Sequence, residues 1–200
     1  MNSVFYKKLW AKKNVNNQKK GISKYHSTLK PYKKFTGLIL GIDPSLRSTG
    51  LALLKFELGI PVKLYTSKTI KIENLTTIPQ CLGKIFQSVT TILEKFSNIH
   101  HVALEKTIYV QNFKVAQIMG AASGAAITAA SIKNIEVFEY APLRIKQAVV
   151  GFGNASKEQV AKTVMQILKK KEITLSLDET DAIAVAVCHA MMYKKMSFLN

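Results

Sequence analysis

The sequence predicts an α/β domain in which helices cover a mixed sheet. Three observations carry this reading. Short apolar runs suited to buried strands alternate, from residue 76 onward, with segments whose apolar residues recur at helical spacing. The first three strands follow one another with no helix between them, as in a meander. Pro, Gly and Ser mark the junctions.

Gly37-Leu-Ile-Leu-Gly-Ile-Asp43 reads as a buried strand, and Pro44, Ser45 and Gly50 punctuate the turn after it. Residues 50–56 and 63–70 are the second and third strands, joined near Gly59-Ile60-Pro61. From residue 76 to about 97, Ile78, Leu82, Ile85, Phe86, Val89, Ile92, Leu93 and Phe96 recur at helical spacing. His101-Val-Ala-Leu-Glu105 is a fourth strand, the Ala-rich stretch from Asn112 to about Lys133 a helix, and Ile135–Tyr140 a fifth strand. Helices follow to the end, one beginning at Lys157 and the last near Asp178. No internal repeat is visible.

Charge is the compositional outlier. The chain of 200 residues carries 29 Lys and Arg against 12 Asp and Glu, a net charge of +17, and so large an excess points to a polyanionic partner. Residues 1–36 hold ten lysines and no acid, leaving +7 for residues 37–200. This first part keeps no helical or strand period and reads as a disordered, lysine-rich extension: either a basic arm for nucleic-acid phosphates or a solvated tail. It contains no Arg, which argues against an organellar presequence. With no unbroken apolar run of about 18 residues and no signal-peptide pattern, neither a membrane-spanning nor a secreted chain is expected. Cys81 and Cys188, more than a hundred positions apart, offer neither a disulfide framework nor a zinc site, so a reducing compartment is expected.

The carboxylates carry the chemistry. Asp43 ends the first strand, Glu105 ends the fourth, and Asp178 and Asp181 share one face at the start of the last helix. Strand ends are where such sheets place their sites. A helix docked across them would gather four acids into an all-oxygen site, suited to magnesium or manganese and not to zinc. Each acid also has a plain structural explanation. Asp before Pro starts turns; Glu105 has Lys106 beside it; and Ser176 with Glu179 fits a capping box, which makes Asp178 and Asp181 dipole-complementing acids. The constellation, more than any member, points to a site.

At this level the chain resembles a known family. GIDPSLRSTGLALL, ALEKTIYVQN, VFEYAPLRIKQAVVGFGNASKEQV and DETDAIAVAVCHA, in this order and spacing, are similar to the RuvC family of bacterial Holliday-junction resolvases, over essentially residues 37–200. The resemblance implies an RNase H-like fold with a five-stranded mixed sheet and a homodimer that nicks two opposing strands of a four-way junction. It further implies Mg2+ as cofactor, two ions per subunit with Mn2+ as a substitute, and work in the bacterial cytoplasm at the nucleoid. RuvA and RuvB branch-migration proteins are then candidate partners. The family's catalytic, metal-holding acids fall on Asp43, Glu105, Asp178 and Asp181. Its basic positions near phosphates fall on Lys146 and Lys157, the second opening a helix after the loop Gly151–Ser156, whose amides suit a phosphate. Ser156 with Gln159 also fits a capping box.

The chain departs from the family in three places. Ser45 stands where most members have Gly, Ser123 where they have Arg, and Ile108, with Tyr109 next to it, where a Phe stacks on bases at the crossover. His100, His101 and His189 form no metal spacing with the acids, and His189 is expected to be a satisfied core or interface histidine. Two other readings remain: an RNase H-like nuclease of the YqgF type acting on RNA, and a non-catalytic nucleic-acid-binding relative. The glycine loop, the DETDA spacing and the four acids favour the resolvase.

Overall fold

The seven residues of β1, Gly37–Asp43, alternate between two faces as any strand must, and both faces are apolar. Ile39 belongs to one buried cluster, Leu40 and Ile42 to another. A strand buried on both sides belongs in the middle of a sheet, and β1 lies there. The computed structural model describes residues 35–58, 60–107, 112–169 and 174–193, with β2 at Ser48–Glu57, β3 at Ile60–Lys71, α1 at Ile78–Lys95, β4 at Ile99–Glu105, α2 at Phe113–Ile132, β5 at Glu136–Tyr140, α3 at Pro142–Val150, α4 at Lys157–Leu168 and α5 at Leu177–Met192.

The sheet order is β3-β2-β1-β4-β5. β1, β2 and β3 pair antiparallel, whereas β1 with β4 and β4 with β5 pair parallel, so the sheet is mixed, as the element order predicts. Pro61, expected in the connection, lies inside β3 instead. β3 is an edge strand, and Pro61 falls at the register shift opposite Lys55 and Glu57, where it has no partner in the ladder and its missing N–H is tolerated.

Strand parity sorts the core into two layers. Leu40, Ile42, Leu51, Leu53, Val102 and Leu104 meet α1 and α2 on one face. Ile39, Ala52, Leu54, Phe56 and Ala103 meet α3, α4 and α5 on the other. α5 is the central helix of that second layer, and every residue from Ala182 to Ala190 is buried. The expected capping boxes start both α4 and α5: Ser156 and Ser176 accept from the backbone N–H of Gln159 and Glu179, whose side chains reach back to the cap amides.

Among the described residues, α2 alone has the length and mean hydropathy to cross a membrane, although the unbroken apolar run that would announce a span is missing from it. Its small residues explain its composition. Ala122, Ala126, Ala129 and Ala130 are buried against the sheet and α1, a close packing that larger side chains would prevent.

Phe35 is 5% exposed and joins the second layer, with its ring centroid 5.0 Å from that of His101 and 5.6 Å from that of His189. The core therefore takes in a residue that the sequence reading places in the lysine-rich extension. His189 is a satisfied core histidine as expected: its Nε2 lies 2.9 Å from Nδ1 of His101 and its Nδ1 lies 2.7 Å from the Tyr140 hydroxyl.

Candidate active site

Asp43 and Glu105 reach the site by parity and register. Ile39, Gly41 and Asp43 point to the α5 face of β1, as His101, Ala103 and Glu105 do on β4. The parallel register runs Gly41 with Ala103 and Ile42 with Leu104. One step further, Asp43 and Glu105 leave neighbouring strands on the same face.

The two acids of α5 arrive because glycines let the helix approach. A Cβ on Gly41 would stand 2.1 Å from the Ala182 carbonyl oxygen, and one on Gly50 would stand 2.0 Å from that of Asp178. Gly50 pairs directly with Asp43 across β1 and β2. The first turn of α5 thus lies on bare backbone beside Asp43, and neither glycine can carry a side chain unless the helix retreats. In the sequence Gly50 marks the turn and opens the second strand. Glycine inside an apolar strand, weakening unless something approaches closely, was the signal for this docking.

Hydroxyls on the same face fix the helix start. Ser48 donates to Oδ2 of Asp178 at 2.5 Å, Ser67 donates to Glu179 at 2.6 Å, and the hydroxyls of Thr69 and Ser176 are 2.6 Å apart. None of the three strand hydroxyls is singled out by the sequence, because each partner lies more than a hundred positions away.

The electrostatics reveal one cluster. Asp43 is pushed up to about 7, first by burial, then by the carboxylates of Glu105 and Asp181; Lys157 pulls it back and Asp178 adds a smaller push. Glu105 is raised too, by burial and then Asp181, with Lys157 and Lys146 opposing. Lys157 bonds Oδ2 of Asp181 at 2.8 Å, and that bond raises the lysine. The lysine side chain is 58% exposed and the aspartate 13%, so the carboxylate is an inner group reached by an ammonium from the rim. All four predicted acids and both predicted lysines therefore belong to one place. Ile108 and Tyr109 lie outside the described residues.

Among the described residues, no three His, Cys, Asp or Glu side chains stand close enough to hold a metal ion as they are. The donor set is nevertheless all oxygen, as a hard cation requires. Asp43, raised first by burial and then by the carboxylates around it, is a group that a cation would relieve. The residues thus fit a hard divalent ion by chemistry, and Asp181 already holds a cationic group.

Ser123, one of the departures, is 6% exposed in α2 with its hydroxyl 3.5 Å from that of Thr107, just past Glu105. A small polar residue fills that position.

The model of the family Crossover junction endodeoxyribonuclease RuvC matches residues 39–189. The protein of that name from Natranaerobius thermophilus is 35% identical over 78% of this chain and 96% of its own length. Its counterpart from Cytophaga hutchinsonii is 39% identical over 78% of each chain. Among solved structures, Thermus thermophilus RuvC in complex with a Holliday junction substrate superimposes with a TM-score of 0.72 at 30% identity, over 78% of this chain and 93% of that one. The yeast mitochondrial Holliday junction resolvase Ydc2, 12% identical with a TM-score of 0.59 over 79% of each chain, shares the fold.

Proposed function

Because the chain belongs to the RuvC family of crossover junction endodeoxyribonucleases, we propose that it resolves four-way DNA junctions by hydrolysing a phosphodiester bond in each of two opposing strands. The observation that carries this is the gathering of Asp43, Glu105, Asp178 and Asp181 from β1, β4 and α5 at one sheet end, with Lys146 and Lys157 beside them.

Nucleases of this family depend on metal ions. We assign the ions here to Mg2+, two per subunit with Mn2+ as a substitute, held by those four acids. A pair of such ions supplies a water of lowered pKa and stabilises the leaving oxygen. The chain's own contribution is placement. Asp43, whose carboxyl is pushed up by burial and then by Glu105 and Asp181, would hold the ions together with them. Lys146 and Lys157 neutralise phosphate charge at the rim, each such contact adding to the salt dependence of binding. No side-chain nucleophile is needed, and among the described residues no Ser or Cys is hydrogen-bonded to a histidine at the site.

Cutting both strands symmetrically calls for a homodimer. α2 leaves Phe113 and Ile132 exposed at its two ends, with open space around Gly120 and Gly124, which suits it to a subunit interface. Ile108 and Tyr109 are assigned to the crossover. RuvA and RuvB branch-migration proteins are the assigned partners, in the bacterial cytoplasm at the nucleoid.

The test is to incubate the protein with synthetic four-way, Y-shaped and linear duplex DNA, in magnesium and then in EDTA. Paired nicks in the four-way junction, dependent on magnesium, are expected. Equal cutting of linear duplex would overturn the resolvase reading.

A further inference from the structure

We propose that Ser48 is a positioning residue for Asp178, setting the orientation of that carboxylate toward the bound cation. This rests on the site described above and adds a residue outside its four acids.

Ser48 opens β2 on the same face as Gly50 and Ala52. Its place is fixed from behind: Thr49, fully buried and pointing the other way, donates to the Ser45 carbonyl and accepts the Ser45 N–H, closing the turn between β1 and β2. From this anchor the Ser48 hydroxyl reaches Oδ2 of Asp178 at 2.5 Å. Oδ1 of Asp178 has no hydrogen bond among the described residues, so the serine occupies one oxygen and leaves the other for a ligand.

Holding the helix down does not require this bond. Ser67 on Glu179 and Thr69 on Ser176 already tie the first turn of α5 to β3, and the Gly50 contact sets its depth. An aspartate in a first helical turn is favoured by the helix dipole without a further donor. The distinct consequence of the Ser48 bond is to restrict the rotamer of the one acid it touches. Such supporting bonds to metal ligands typically change metal affinity by about 10–100-fold.

Ser48→Ala, Ser48→Thr, Ser67→Ala and Asp178→Asn in the full chain test this by two readouts: the magnesium concentration at half-maximal junction cleavage, and calcium binding followed by calorimetry without DNA. Ser48→Ala should raise the magnesium midpoint about tenfold and weaken calcium binding in parallel, with KM for the junction unchanged. Ser48→Thr, which keeps the hydroxyl, should restore both. Ser67→Ala should lower the melting temperature and leave the midpoint in place. The proposal is overturned by a wild-type midpoint and calcium affinity in Ser48→Ala, or by an equal shift in Ser67→Ala, which would reduce the effect to general loosening of α5. Full activity in Asp178→Asn would instead remove the site on which the proposal rests.

Discussion

Gly50 and Asp178 are in backbone contact: a Cβ at residue 50 would lie 2.0 Å from the Asp178 carbonyl oxygen. Contact this tight means that the helix bearing two candidate ligands is placed by what β2 lacks. Gly50→Ala should therefore move α5 outward, at a cost of about 1–3 kcal/mol in stability and with a disproportionate loss of cleavage. Gly83→Ala is the control. It lies on α1 with nothing within 4 Å of the added carbon, so it should gain about 0.5–1 kcal/mol from helix propensity and leave cleavage unchanged. Denaturant melts and junction assays on both variants check this.

Asp43 carries a stability cost whose sign is set by its shift. Its folded value near 7 lies above the ordinary 3.8, so the fold binds its proton more tightly than the unfolded chain does. That contribution is fully present below about pH 4 and lost as pH rises through 7. Asp43→Asn should remove the loss. In metal-free buffer the variant should melt higher than wild type at pH 8, and the gap should shrink toward pH 4. A gap independent of pH would contradict the burial and carboxylate repulsion assigned to this residue.

How much of this was legible in the sequence depends on distance along the chain. The capping boxes at Ser156 and Ser176 span three residues and read directly. The placement of Asp43 and Glu105 at strand ends followed from apolar runs, because alternation alone decides which face an end residue takes. The Ser48–Asp178 and Ser67–Glu179 bonds join residues 130 and 112 positions apart, and no local pattern announces a serine's distant partner. His189 was legible as a core histidine from its Ala and Val neighbours, whereas its bonds to His101 and Tyr140 depend on how α5 crosses the sheet. Phe35 reads as extension because the lysines around it hide one aromatic residue that the core needs.

His189 should make the fold acid-sensitive. Burial, and then His101, hold it down at about 3 against an ordinary 6.5, so it stays neutral while an unfolded chain would take up the proton. Its contribution is intact above about 6.5 and lost as pH falls toward 3. Other groups face it: His101, also lowered by burial, has Glu136 3.4 Å from its Nε2, and Tyr140 is pushed up to about 12 by burial. Glu136 favours a charged His101 and so softens the acid loss. His189→Gln should melt lower at pH 7 yet show a flatter fall between pH 6.5 and 4, as followed by circular dichroism.

The lysine-rich extension is expected to act on binding and not on chemistry. Deleting residues 1–34 removes all ten of its lysines and retains Phe35. The log–log dependence of junction affinity on salt should then flatten, since each neutralised phosphate adds about 0.9 to that slope. Cleavage of bound junction should persist. An unchanged slope would show that the extension does not touch DNA.

The central claim, that Asp43 stands at the heart of a metal-dependent nuclease site, is tested most directly by the single-turnover rate of four-way junction cleavage in Asp43→Asn with saturating magnesium. The change keeps the side-chain shape and removes the charge. Cleavage should fall by about a thousandfold or more, as for members of a catalytic unit. Junction binding in calcium should hold or tighten, because one carboxylate no longer repels the phosphates. Cleavage at the wild-type rate, with contaminating nuclease excluded, would contradict the account.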